Sequence, residues 1–209
     1  MKVLELFAGS RSIGNAGESL GYDVYSSDIN SFDKIDYVVD ILDFDIKKLP
    51  FKPDIIWASP PCTTYSIAAI SHHRPINKPL SRFAITSDLI VKKTLKIIQE
   101  LKPKYWYIEN PRGLLRKQNF MIGLPKTTVW YCTYGDNRAK PTDIWSNNIR
   151  SLLNINGWQP RPECFNGNKN CHHEPAPRGS KTGTQGLKGN YNRSKIPKDL
   201  CLEILKSIQ

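Results

Sequence analysis

Apolar residues in this chain come in short runs separated by polar turns, and each early run ends at a glycine, a carboxylate or a proline pair. Val3–Phe7 reads as a β-strand running into Ala8-Gly9-Ser10, and the small residues from there to Leu20 suit a helix. Asp23–Ser27 is a second strand ending at Asp28, and Tyr37–Val39 a third ending at Asp40. Asp54–Ala58 is a fourth, stopped at Ser59-Pro60-Pro61-Cys62 because consecutive prolines cannot donate to a strand ladder.

The period then changes. From Ser81 to Leu101, Ile85, Leu89, Val91, Leu95, Ile98 and Leu101 recur mainly three or four residues apart among lysines, which predicts a long helix closed by Pro103. Tyr105–Ile108 follows as a strand ending at Glu109-Asn110-Pro111, and Thr127–Thr133 as another. Strands alternating with helices predict an α/β fold with a Rossmann-like, doubly wound, mostly parallel sheet. The ligand crevice of such a sheet lies at the carboxyl ends of its strands, where these turns fall. From about Asn147 to Arg193 Gly, Asn, Pro, Lys and Arg replace the periodic pattern, and after Ile196-Pro197 the residues Leu200, Ile204 and Ile208 mark one face of a short helix. The expected organisation is a sheet domain over 1–146, a loop-rich basic insertion over 147–193, and a helix over 194–209 that returns to the sheet.

At 209 residues and 39% hydrophobic content the chain can bury one core with an appendage. No run approaches the roughly 18 apolar residues of a membrane span, and Met1-Lys2 leads straight into the first strand without a signal-peptide pattern. The expected location is therefore the cytoplasm, with no membrane partner. Five cysteines, an odd number without a regular framework, do not read as a secreted disulfide scaffold.

Charge sharpens the picture. Residues 1–54 carry 6 Lys+Arg against 10 Asp+Glu, whereas the remainder carries 24 against 9, so the net +11 is a +15 body behind an acidic start. Such a body suits a polyanionic partner, whose phosphates lysine and arginine neutralise. A merely soluble basic surface is the alternative.

Chemistry concentrates at the strand ends. Gly9 lets the backbone approach a bound cofactor at a helix N-terminus, and the absence of a full G-x-G-x-x-G pattern argues against a dinucleotide. Asp28 can accept from ribose hydroxyls and Asp40 from an adenine amino group, or both can serve as loop caps. Cys62, held by a rigid proline turn, suits nucleophilic attack, and Glu109 supplies an acid at the neighbouring strand end. Cys201, on the apolar terminal helix, reads instead as a core cysteine.

In order along the chain, Leu4-Glu5-Leu6-Phe7-Ala8-Gly9, Ser59-Pro60-Pro61-Cys62, Glu109-Asn110-Pro111 and Tyr134-Gly135-Asp136-Asn137-Arg138-Ala139-Lys140 resemble motifs of the DNA cytosine-5 methyltransferase family. The resemblance covers residues 1–145 and the terminal helix, and points to the small phage or prophage members with a reduced recognition region. It implies a class I S-adenosylmethionine-dependent methyltransferase fold, S-adenosylmethionine as cofactor, and DNA carrying a flipped-out cytosine as partner. Cys62 would then add to C6 of cytosine, Glu109 would serve N3, and Arg138 would meet O2, with Lys140 near phosphate or base. Phe7, Ala8, Gly9, Asp28, Ile29, Asp40, Ile41 and Pro60 would form the cofactor site.

Three positions depart from the family pattern. Ser10-Arg11-Ser12 stands at a more glycine-rich turn, Asp136 stands where glutamine is usual, and Arg193-Ser194-Lys195 replaces the last motif with its Gly-Asn. RNA cytosine as substrate, and a silent nucleic-acid binder, are the competing readings. Asp/Asn-Pro-Pro-aromatic, the loop of amino methylation, is not what this chain carries. Cys164, Cys171, His172 and His173 form a further cluster, which Cys132 completes to three cysteines and one histidine if the fold brings it near; residues 132, 164, 171 and 172 would then hold a structural zinc. Arg178–Gly186 has the small, polar and cationic residues of a phosphate-contacting loop.

Overall fold

A computed structural model of the chain describes residues 1–66, 70–75, 78–152, 154–174 and 189–208. Seven strands, β1 (Lys2–Leu6), β2 (Asp23–Asp28), β3 (Tyr37–Val38), β4 (Ile55–Ala58), β5 (Tyr105–Pro111), β6 (Lys126–Trp130) and β7 (Pro141–Ser146), form one sheet in the order β3-β2-β1-β4-β5-β7-β6. The first five are parallel to one another, and β7 joins β5 and β6 in antiparallel pairing. The helices are α1 (Ser12–Ser19), α2 (Ile70–His73), α3 (Arg82–Leu101), α4 (Asn190–Ser194) and α5 (Lys198–Lys206).

The period-2 alternation of the buried strands divides the core in two. Val3, Ile55, Trp57 and Tyr107 face Ile13 and Ala16 of α1 and Leu200, Ile204 and Leu205 of α5. Leu4, Leu6, Ile56, Ala58 and Ile108 face Val91, Ile97 and Ile98 of α3. Helices thus cover both faces, as the chain's alternation predicts, and chain direction out of the centre reverses between β1 and β4. Their carboxyl ends, Leu6 and Ala58, lie side by side at the switch point where open α/β sheets bind ligands.

Three elements differ from expectation. Glu109-Asn110-Pro111 continues β5 rather than ending it, because β7 offers a ladder in which Glu109 faces Ile144 and Asn110 faces Asp143. β7 itself is not evident in the sequence, since its Asp143 breaks the apolar pattern; that carboxylate is fully buried and bound by Arg116. On α3, Ile85 and Leu89 are exposed while Asp88 faces inward, because the buried Arg74 makes that part of the inner face polar. Among the described residues no helix is long and apolar enough to cross a membrane.

Candidate active site

The turn after β1 is held in an uncommon conformation. Phe7, Gly9 and Arg11 all have positive φ, at 59°, 40° and 49°, a region that costs the two non-glycine residues energy and that Gly9 enters freely. Asp28, at the end of β2, fixes the turn by accepting from the Gly9 amide at 3.0 Å and from the Asn30 amide at 2.9 Å. Ala8 donates to the Ser27 carbonyl at 3.0 Å. Behind the turn Glu5 accepts from the amides of Ile13 and Gly14, the first turn of α1, and from Ser26. Burial raises the Glu5 carboxyl to about 7 against the lowering effect of these donors.

A cleft of about 300 Å³ opens beside this turn, lined by Gly9, Ser10, Arg11, Asn15, Phe32, Asp33, Lys34 and Tyr191. Of the residues expected at the cofactor, Gly9 alone is in that lining. Phe7 and Ala8 form the turn, Pro60 belongs to the neighbouring loop, and Ile29 is 63% exposed. Asp40 caps the short turn Ile41–Asp43 by accepting from Leu42, and Ile41 packs into the α3-side core. The structure adds Phe32, Asp33 and Tyr191; the rings of Phe32 and Tyr191 lie 5.5 Å apart. Tyr191 stands in the first turn of α4, which follows Gly189 at φ 80°. Adjoining aromatic rings, a carboxylate and a small-residue turn form a donor set that suits an adenosyl group.

Cys62 begins a single helical turn, Thr63–Tyr65, directly after the two prolines that end β4. Two contacts fix this loop, one from β5 and one from Arg74, the residue after α2. The Asn110 side-chain amide donates to the Pro60 carbonyl at 2.8 Å. The fully buried Arg74 donates to the Thr64 carbonyl at 3.0 Å, pairs with Asp88 at 2.6 Å, and lies 4.1 Å from the Tyr65 ring centre. Gly113 is required beside it, since a β-carbon there would meet the Tyr65 carbonyl oxygen at 2.4 Å. Arg74 and Asp88 escaped sequence reasoning because an arginine and an aspartate in a basic chain carry no local mark of burial.

Glu109, 5% exposed, accepts from the Tyr131 hydroxyl at 2.8 Å. Burial pushes the Cys62 thiol up, the nearby Glu109 carboxylate adds to the shift, and Lys140 and Arg193 oppose it. Lys140 sits 4.5 Å over the Tyr131 ring and donates to the Arg193 carbonyl at 3.1 Å; desolvation lowers its ammonium, which Glu109 partly offsets. Arg138 is buried, donating to both oxygens of Asp136 and to the carbonyls of Arg193 and Lys195. Burial would raise Asp136, but the Arg138 bonds outweigh it and hold its carboxyl below the usual range. The fold thus brings Cys62, Glu109, Arg138 and Lys140 to one end of the sheet and adds Tyr131 to them.

The cysteine cluster also assembles: Cys132, Cys164, Cys171 and His173 converge. Its histidine is His173, not His172, whose ring is exposed with Nε2 3.2 Å from the Asp136 carbonyl oxygen. In the short segment Cys171–Glu174 neighbouring side chains point opposite ways, so only one of the two imidazoles faces inward. The stretch Arg178–Gly186 lies outside the described residues.

The C-5 cytosine-specific DNA methylase family model matches residues 1–123, more than half of the chain. A protein of Frog virus 3 (isolate Goorha) named "Probable DNA (cytosine-5)-methyltransferase" is 28% identical over 224 residues, covering 98% of this chain and 99% of its own. Type II methyltransferase M.FnuDI of Fusobacterium nucleatum is 28% identical over 131 residues, 57% of this chain and 35% of that protein. Among solved structures, a DNA modification methyltransferase encoded within an E. coli prophage superposes with a TM-score of 0.52 at 15% identity, over 70% of this chain and 46% of that one. The S. pombe Dnmt2 methyltransferase superposes with a TM-score of 0.51 at 16% identity, over 74% and 52%. The chain therefore spans about half the length of these solved structures, and they bear on its fold, that of class I methyltransferases.

Proposed function

Since the chain belongs to the C-5 cytosine-specific DNA methylase family, we propose that it transfers a methyl group from S-adenosylmethionine to C5 of cytosine in DNA, with Cys62 as covalent nucleophile. The observation that carries this reading is one of placement: Cys62 follows β4, Glu109 stands on the adjoining β5, and Lys140, just ahead of the antiparallel β7, lies over Tyr131, whose hydroxyl binds Glu109. S-adenosylmethionine, when bound, supplies an electrophilic methyl group. The cleft beside Gly9 would hold it, with Phe32 and Tyr191 against the adenine and Asp33 available to a ribose hydroxyl.

The residues then divide the work. The Cys62 sulfur adds to C6, and the electron pair of the C5–C6 double bond moves toward N3, where Glu109 provides a proton or hydrogen bond. The electron pair would then return from N3 to C5, Glu109 recovering its proton, and C5 would take the methyl group as the carbon–sulfur bond of the sulfonium breaks to leave a neutral thioether; loss of the C5 proton to a base restores the double bond and expels the thiolate. Tyr131 orients the Glu109 carboxyl, and Asp136 holds the Arg138 guanidinium for O2 of the cytosine. Flipping the cytosine out of a duplex costs a few kcal/mol, which contacts from the basic body would offset.

The test is incubation with labelled S-adenosylmethionine and DNA containing 5-fluorocytosine. The expected result is a denaturation-resistant adduct with wild type and none with Cys62→Ala. An adduct formed equally by Cys62→Ala, or formed with RNA but not DNA, overturns the proposal.

A further inference from the structure

We propose that Cys132, Cys164, Cys171 and His173 bind a structural zinc ion that anchors the segment 161–174 to the turn presenting Arg138. The three sulfurs and one imidazole nitrogen all lie within 4.8 Å of one another. Tetrahedral zinc with Zn–S bonds of about 2.3 Å separates its sulfur ligands by roughly 3.8 Å, so these donors close on one ion with small adjustments. Cys164 Sγ and His173 Nδ1 are 3.7 Å apart, close to the separation of two ligands on one zinc ion.

The surroundings have the features of a closed metal site. Cys132, Cys164 and His173 are buried and Cys171 partly so. Four protein donors leave no open position, which is the arrangement of structural rather than catalytic zinc. The Asn168 side-chain amide donates to Cys164 Sγ at 3.5 Å, a supporting bond of the kind that stabilises a ligating thiolate. The backbone is shaped for it: Asn168 donates to the Phe165 carbonyl and Cys171 to the Asn168 carbonyl, both at 3.2 Å, with Gly167 at φ 81° between them. Cysteines in a disulfide converge in twos, whereas here three meet a histidine.

The segment needs such an anchor. The cluster here comprises Trp130, Cys132, Ala139 and Cys164 with Cys171 packed against them, too little apolar surface to fix a loop of this length. From the metal the chain runs directly to the candidate active site: Glu174 donates to the Asn137 carbonyl at 2.9 Å, and His172 Nε2 meets the Asp136 carbonyl. On binding, the three thiols release their protons, and the ion takes their place in holding these strands of chain together.

Full-length protein purified under reducing conditions from zinc-supplemented cells should contain one zinc per chain by mass spectrometry. Cobalt(II) added to the metal-free chain should give the thiolate charge-transfer and intense visible bands of a tetrahedral site. Cys164→Ser and His173→Ala should lose both signals, while His172→Ala keeps them. Folded wild type with no bound zinc and only an octahedral cobalt spectrum overturns the proposal, as does loss of metal in His172→Ala but not in His173→Ala. The wild-type readings decide the matter even if a variant fails to fold.

Discussion

The hydroxyl of Tyr131 donates a 2.8 Å hydrogen bond to Oε1 of Glu109, so the carboxylate is oriented by a phenol that follows β6. Burial, then the charge of Glu109, raises Tyr131 well above its ordinary range, and it remains a donor at any working pH. Hydrogen bonds to charged groups contribute about 1.5–3 kcal/mol, worth roughly 10- to 100-fold in rate if wholly expressed in the transition state. Tyr131→Phe should therefore lower kcat by about tenfold or more with little change in KM for DNA. Steady-state methyl transfer checks this, and an unchanged kcat would remove Tyr131 from the machinery.

Glu109 raises the Cys62 thiol and Lys140 lowers it. The alkylation rate of Cys62, followed against pH with iodoacetamide and peptide mass spectrometry, should thus shift in opposite directions in two variants. Glu109→Gln should move the profile to lower pH, and Lys140→Met to higher pH. Identical profiles would mean that the three groups do not interact.

Arg74 is fully buried and pairs with Asp88, which also accepts from the Tyr65 hydroxyl at 2.8 Å. Arg74→Met leaves the Asp88 charge without its partner and should destabilise the fold by about 3–5 kcal/mol, seen as a lower urea midpoint. Adding Asp88→Asn should recover part of the loss.

Glu5 binds a proton more tightly in the folded chain, at about 7, than at its ordinary 4.5. Between those pH values the folded state holds more protons than the unfolded state, so the stability contributed by protonated Glu5 is complete below pH 4.5 and declines as pH rises toward 7. The difference in unfolding free energy between wild type and Glu5→Gln should fall over that window and level off above it. A difference that rises with pH would contradict the burial of this carboxyl.

Binding to DNA should weaken steeply with salt, because a body carrying 24 Lys+Arg against 9 Asp+Glu releases counterions from several phosphates. Fluorescence anisotropy across a salt series gives the slope, and a flat line would exclude phosphate-driven binding.

Strand ends and the long helix were legible in the sequence because they are written in neighbouring residues. Val3–Phe7 and Asp54–Ala58 predict β1 and β4 to within a residue or two, and the Pro60-Pro61 stop places Cys62 at a sheet end without reference to any distant partner. Local sterics and alternation suffice for such features. Cys62 was likewise visible after the end of its strand, whereas Glu109, expected at a strand end, lies inside β5.

What joins them was decided by contacts between residues far apart in the chain. β7 exists because β5 and β6 each pair with it, and Asp143 is tolerated inside because Arg116, 27 positions away, binds it. Arg74 and Asp88 come together across 14 positions, and His173 rather than His172 turns toward Cys132, which precedes it by 41 residues. A buried charge or metal ligand is stable only when its partner is delivered by another element, and that delivery is a property of packing. The sequence by itself determined the strands, the proline stop and the chemistry available; the tertiary structure alone decided which of those groups meet.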